Sequence, residues 1–151
     1  MHSAKIKGIS DALSRQTYSL VQIKINKGEA FLRSYISLWL IYLNEVLNLN
    51  NPLTEAQIEL CTEQIMADYH HLKISELSLI FKRIVSGEFG ELYERISMPK
   101  VMSVFRKYDQ ERTEVVVTQN QQAHEQFRYQ ENRTESYDDD VRRIYKRLRK
   151  F

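Results

Sequence analysis

Along the first 117 residues apolar side chains recur mostly at spacings of three and four, the mark of helices that each bury one face. Within Glu29–Leu47, Phe31, Leu32, Tyr35, Ile36, Leu38, Trp39, Tyr42, Leu43, Val46 and Leu47 cover more than one stripe. Such a segment is expected to be a central helix touched from several sides. Asn48-Leu49-Asn50-Asn51-Pro52 breaks the pattern, and Thr54-Glu55-Ala56-Gln57 has the form of a capping box opening the next helix, whose face is Ile58, Cys61, Ile65, Tyr69 and Leu72. Ser75 is the expected N-cap of a third helix with a one-sided stripe, Leu77, Ile80, Phe81, Ile84 and Val85, ending at Gly87. Met98-Pro99 opens a fourth, with Val101, Met102, Phe105, Tyr108, Val115 and Val116. A short helix is expected over residues 4–13. Residues 18–25 alternate over several positions and read as either a strand or an extended lead-in.

The expected fold is therefore all-α: a compact bundle of four to five helices over residues 1–117, with a polar C-terminal extension. Residues 118–136 are glutamine-rich, with almost no core-forming side chains apart from Ala123, Phe127 and Tyr129, and read as a projecting helix or a disordered linker. Residues 137–151 carry the sharpest amphipathic pattern in the chain. At about 100° per residue, Tyr137, Val141, Ile144, Tyr145, Leu148 and Phe151 fall on one arc, and Arg142, Arg143, Lys146, Arg147, Arg149 and Lys150 on the other. Asp138-Asp139-Asp140 stands at the N-terminal end of this helix, where negative charge complements the dipole.

The net charge of +2 hides an uneven distribution. Lys/Arg against Asp/Glu runs six to three over residues 1–50, five to eight over 51–100, and eleven to nine over 101–151. A polyanionic partner is thus expected at the ends of the chain rather than its middle. The single cysteine, Cys61, leaves no internal disulfide framework and fits a reducing, cytoplasmic setting. No apolar run follows the N-terminal basic residues, so no signal peptide is expected. The most apolar segment, residues 34–44, is well below the roughly 20 residues a bilayer needs.

Little in the chain has the form of a catalytic or metal centre. His70-His71 point about 100° apart on a helix, with no further ligand at i+3 or i+4. Glu88 and Glu91 lie in a polar stretch with no apolar pocket to raise either pKa, and read as surface charge. Gly87-Glu88-Phe89-Gly90 lacks the Lys-Ser/Thr of a phosphate-binding loop and follows a helix rather than a strand. With glycine this scarce, Gly87 and Gly90 are expected to build a corner: Gly87 stops a helix, Phe89 and Tyr93 tuck beneath it, and Arg95 remains available to a partner. Neither an enzyme nor a cofactor, metal or small-molecule substrate is expected.

Three segments together resemble a pattern in small, mostly uncharacterised helical proteins of Bacteroidetes phages and mobile elements. They are Ile74-Ser75-Glu76-Leu77 through Phe81-Lys82-Arg83, then Gly87 through Tyr93-Glu94-Arg95-Ile96, then Val101 through Phe105, Tyr108 and Glu111-Arg112. The resemblance covers roughly residues 50–115. It is departed from at Ser97-Met98-Pro99, which stands where those proteins have an Asp-Gly-like turn. A more distant similarity is to phage replication accessory proteins and helicase loaders. It implies a helical fold and a replication-accessory role, binding DNA or a replisome protein. The contact residues expected are Arg142, Arg143, Lys146, Arg147, Arg149 and Lys150, with Lys82, Arg83 and Arg95 as a second basic site. The alternative expectation is an oligomeric or adaptor protein whose C-terminal helix docks through its apolar arc while the basic face is merely solvated. A membrane-surface role for that helix is a third, weaker option.

Overall fold

A computed structural model describes residues 6–47, 50–90 and 96–148; within 131–148 it describes the side chains of Arg142 and Ile144 only. The chain is all-α. Its helices are α1 (Ile9–Ser14), α2 (Leu20–Lys27), α3 (Glu29–Leu47), α4 (Glu55–Asp68), α5 (Ile74–Val85) and α6 (Met98–Leu148). Among the described residues no helix is long and apolar enough to cross a membrane.

Met1–Arg112 and Thr113–Phe151 are two separate units, divided close to where the apolar rhythm fades in the sequence. In the first, α3 packs against α2, α4 and α5, and α1 packs against α5. Leu32, Ile36, Leu40 and Leu43 supply the buried stripe of α3. The opposite side of this helix is not covered as its several apolar stripes led us to expect: Phe31, Leu38 and Tyr42 are 51%, 63% and 47% exposed. Trp39 lies between the two sides, its ring stacked on Phe81 at 4.9 Å. Across the α3–α4 connection, Asn44 donates from Nδ2 to the Leu53 carbonyl and accepts from the Leu53 N–H, both at 2.9 Å. The Thr54–Gln57 capping box then starts α4 as expected.

Residues 18–25 are helical from Leu20 onward, with only one step of strand-like pairing before it. Ser19 forms an isolated antiparallel bridge with Lys73, and the Leu20 N–H donates to the Leu72 carbonyl at 2.9 Å. Ser19 also caps α2 in a box with Gln22, which ends the extended backbone there.

Ser75 is not the N-cap of α5; Lys73 is, and the Ser75 hydroxyl is used elsewhere. It donates to the Ala12 carbonyl and lies 2.8 Å from the Thr17 hydroxyl. Lys73 Nζ donates to the carbonyls of Leu13 and Arg15, tying the end of α1 to the start of α5. One residue beyond Ser75, Glu76 has no exposed surface. Its carboxylate accepts from the Lys73 N–H at 2.9 Å, Arg112 Nε at 2.8 Å and the Tyr108 hydroxyl at 3.3 Å. Burial first, and then the Glu76 charge, holds the Tyr108 phenol far above its ordinary pKa, so it stays a donor to the carboxylate.

A buried charge is tolerated only when such partners replace water. Replacing Glu76 by Ala strands Arg112 and the Tyr108 hydroxyl, and urea unfolding should show a loss of about 3 kcal/mol. A loss comparable to that of an ordinary surface substitution would show that the network contributes little.

Candidate functional site

Two places hold the residues that the sequence singles out: the glycine corner after α5 and the C-terminal part of α6. At the corner, Gly87 has φ 76° and Gly90 has φ 92°, conformations that a Cβ disfavours. The Gly87 N–H donates to the Ile84 carbonyl and the Glu88 N–H reaches back to the Arg83 carbonyl, at 3.1 Å each. This pair of bonds is a Schellman motif, in which the first residue of the left-handed turn closes the helix.

The corner is fastened by charge where such motifs often use an apolar contact. Arg83 Nε donates to Glu88 Oε2 and Arg83 Nη1 to Glu111 Oε2, both at 2.7 Å, so one guanidinium joins the corner to α6. Arg83 is only 15% exposed. Its burial disfavours the charge, but the hydrogen bonds to Glu111 and then Glu88 outweigh that and raise its pKa above the ordinary value. Phe89 is partly buried against the core, with Arg83 Cζ 4.8 Å and Lys107 Nζ 5.4 Å from its ring centre.

Lys82, beside it, donates from Nζ to the Ile6 carbonyl at 3.0 Å. A cleft of about 400 Å³ lies here, and its charged lining is Lys7, Lys82 and Arg83 against Glu88 and Glu111. An anion entering it would compete with two carboxylates that Arg83 already holds. Arg95, Tyr93 and Glu91 lie outside the described residues.

On α6, Arg142 is exposed and Ile144 is 58% exposed. Arg143, Lys146 and Arg147 are on the same helix with side chains outside the described residues, as are Arg149 and Lys150 entirely. From Val117 to Gln130 every residue is exposed, Phe127 at 66% and Tyr129 at 72%.

The remaining candidates have structural partners. His71 Nε2 is 2.8 Å from Asp109 Oδ1 and His70 Nδ1 is 3.0 Å from the Ala67 carbonyl. Among the described residues no group of three or more His, Cys, Asp or Glu side chains could hold a metal ion. Burial pushes the Cys61 thiol up to about 11, leaving it protonated at neutral pH and inert as a nucleophile.

A family model described as "Family of unknown function (DUF6633)" matches residues 52–149. The chain belongs to this family. The DUF6633 match begins just ahead of α4 and takes in α4, α5, the glycine corner and all of α6. No curated protein and no solved structure matches the chain.

The glycine corner is legible in the sequence but the way it is held is not, because Glu111 lies 28 positions from Arg83 along the chain. The outer side of α3 is open where its apolar pattern predicts core. There Tyr35, Leu38, Trp39 and Tyr42 line an open apolar cleft of about 350 Å³. The role of Gly87 is directly testable: Gly87→Ala forces a Cβ into the left-handed region and should cost about 1 kcal/mol in thermal or urea unfolding. An unchanged midpoint would mean that the corner does not need its positive φ.

Proposed function

We propose that this chain is a non-enzymatic accessory protein of phage or mobile-element replication, and that it binds DNA through the basic face at the end of α6. One observation carries the reading. Residues 142–150 contain six cations and no carboxylate, on a segment that is helical through Leu148 and has Arg142 exposed. Arg142, Arg143, Lys146 and Arg147 fall within seven helical residues, which at about 1.5 Å per residue is roughly one positive charge per 2.6 Å of helix, a charge density of the same order as the one phosphate charge per roughly 1.7 Å of a duplex.

The corner contributes less to this reading than the basic helix does. Arg83 is held by Glu88 and Glu111, and Lys82 reaches the Ile6 carbonyl, so both support the bundle. The replication setting rests on the resemblance of the segments around residues 74–112 to helical phage and mobile-element proteins.

Counterion release gives the binding a quantitative signature. Each phosphate neutralised contributes about −0.9 to the slope of log K against log salt. Fluorescence anisotropy with a labelled duplex should show affinity falling steeply with salt and depending little on sequence. Replacing Arg142, Arg143 and Lys146 together by Ala should flatten the slope by roughly 3. An affinity and slope unchanged by that triple substitution would refute the assignment of the contact to this face.

A further inference from the structure

We infer that residues 116–148 of α6 pair, in parallel and in register, with the same segment of a second copy of this chain. The inference does not depend on DNA binding, because it uses the opposite face of the helix. In the compact unit, α6 buries Val101, Phe105 and Tyr108 and places Arg112 on Glu76. Continued at the same spacing, that stripe would run through Val115 into Gln119, Gln122 and Gln126, which are polar.

A different stripe starts at Val116, beside the division between the two units. Its spacing alternates strictly between four and three over ten positions as far as Leu148. Val116, Ala123 and Phe127 occupy the first half; Tyr137, Val141, Ile144 and Leu148 occupy the second. Only Asn120, Gln130 and Thr134 are polar. A period of 3.5 residues kept over this length is that of a left-handed coiled coil, whose a and d positions form the seam. With Val116 at d, Asn120 falls at a, where a single Asn fixes register and the number of strands.

Exposure agrees with an open seam. Ala123 is exposed, Phe127 is 66% exposed and Ile144 58% exposed in the single chain. Scattered apolar residues on a surface need no explanation, but apolar residues repeating on one seam do. The basic positions 142, 143 and 146 are at b, c and f, away from this seam, and Arg147 is at g beside it.

Charge selects the partner and its direction. In a parallel, in-register pair, g of one helix meets e of the next heptad on the other. Arg133 then meets Asp138 on both sides, and none of the g–e pairs from Gln119 to Tyr145 joins like charges. An antiparallel pair overlapping over the same length, with Val116 opposite Leu148, would place Glu131 against Glu131 and Arg133 against Arg133. Identical copies therefore fit each other in parallel, which also brings the two basic segments to one end.

Light scattering on the full chain at high micromolar concentration should give twice the 18.0 kDa of one chain. Phe127→Asp with Ile144→Asp should return it to a single chain, whereas Arg128→Ala, at an outward b position, should not. Fluorescence of Trp39, the one tryptophan, reports whether the compact unit stays folded in each variant. Asn120→Cys should form a disulfide-linked dimer on oxidation, with the unsubstituted chain as control for buried Cys61. In the antiparallel arrangement the two cysteines would be about 36 Å apart and would not cross-link. A single-chain mass for the unsubstituted protein, a dimer that survives the double Asp variant with Trp39 fluorescence unchanged, or no cross-link at position 120 would each overturn the inference.

Discussion

The bundle depends on satisfying one carboxylate that water cannot reach. Glu76 is fully buried, and an ionised group there is tenable only if protein donors replace its hydration. It finds them on two elements: the Lys73 N–H at its own helix start, and Tyr108 and Arg112 on α6. Tyr108 and Arg112 are four residues apart, so they project from one side of α6 and fix its rotation against α5. The same few residues at the start of α5 gather the N-terminal segments. Lys73 and Ser75 hold the carbonyls at the end of α1, and the Ile74 N–H donates to the Tyr18 carbonyl ahead of α2.

The far end of α5 is tied to α6 in a related way. Arg83 binds Glu88 in the corner and Glu111 on α6, one residue before Arg112. Two ion pairs of opposite polarity thus clamp α5 to α6, with the α5 carboxylate at one end and the α5 guanidinium at the other. Gly87 makes the clamp possible by turning the chain so that Glu88 comes back beside Arg83. The corner is an anchor for α6 held through Arg83, while Lys82 beside it ties α5 to the Ile6 carbonyl.

Helix limits set by neighbouring residues are mostly legible in the sequence, and long-range contacts are hidden. The limits of α3, the Thr54–Gln57 box and the stop at Gly87 are properties of neighbouring residues, and all were legible. At α2 the alternation over residues 18–25 suggested extended backbone and masked an equally local signal, the Ser19–Gln22 box that starts the helix. Ser75 has the chemistry of a cap, but its hydroxyl bonds Ala12, 63 positions away, and no pattern in the sequence announces that. The same holds for Glu111 with Arg83. On the candidate site, the basic run at residues 142–150 is plain in the sequence, whereas the repeat from Val116 gains meaning only from a helix that continues unbroken through Leu148.

α6 accordingly has two parts: a first section fixed by Glu76 and Arg83, and a remainder, exposed from Val117 to Gln130, to which we assign the dimer seam and the basic contact face. Amide hydrogen exchange along α6, measured over a dilution series, tests this division most directly. Amides of residues 101–108 should exchange slowly at every concentration, while those of residues 117–130 should lose protection as the protein is diluted. Uniform protection along the whole helix at all dilutions, or loss on dilution within residues 101–108, would contradict the account.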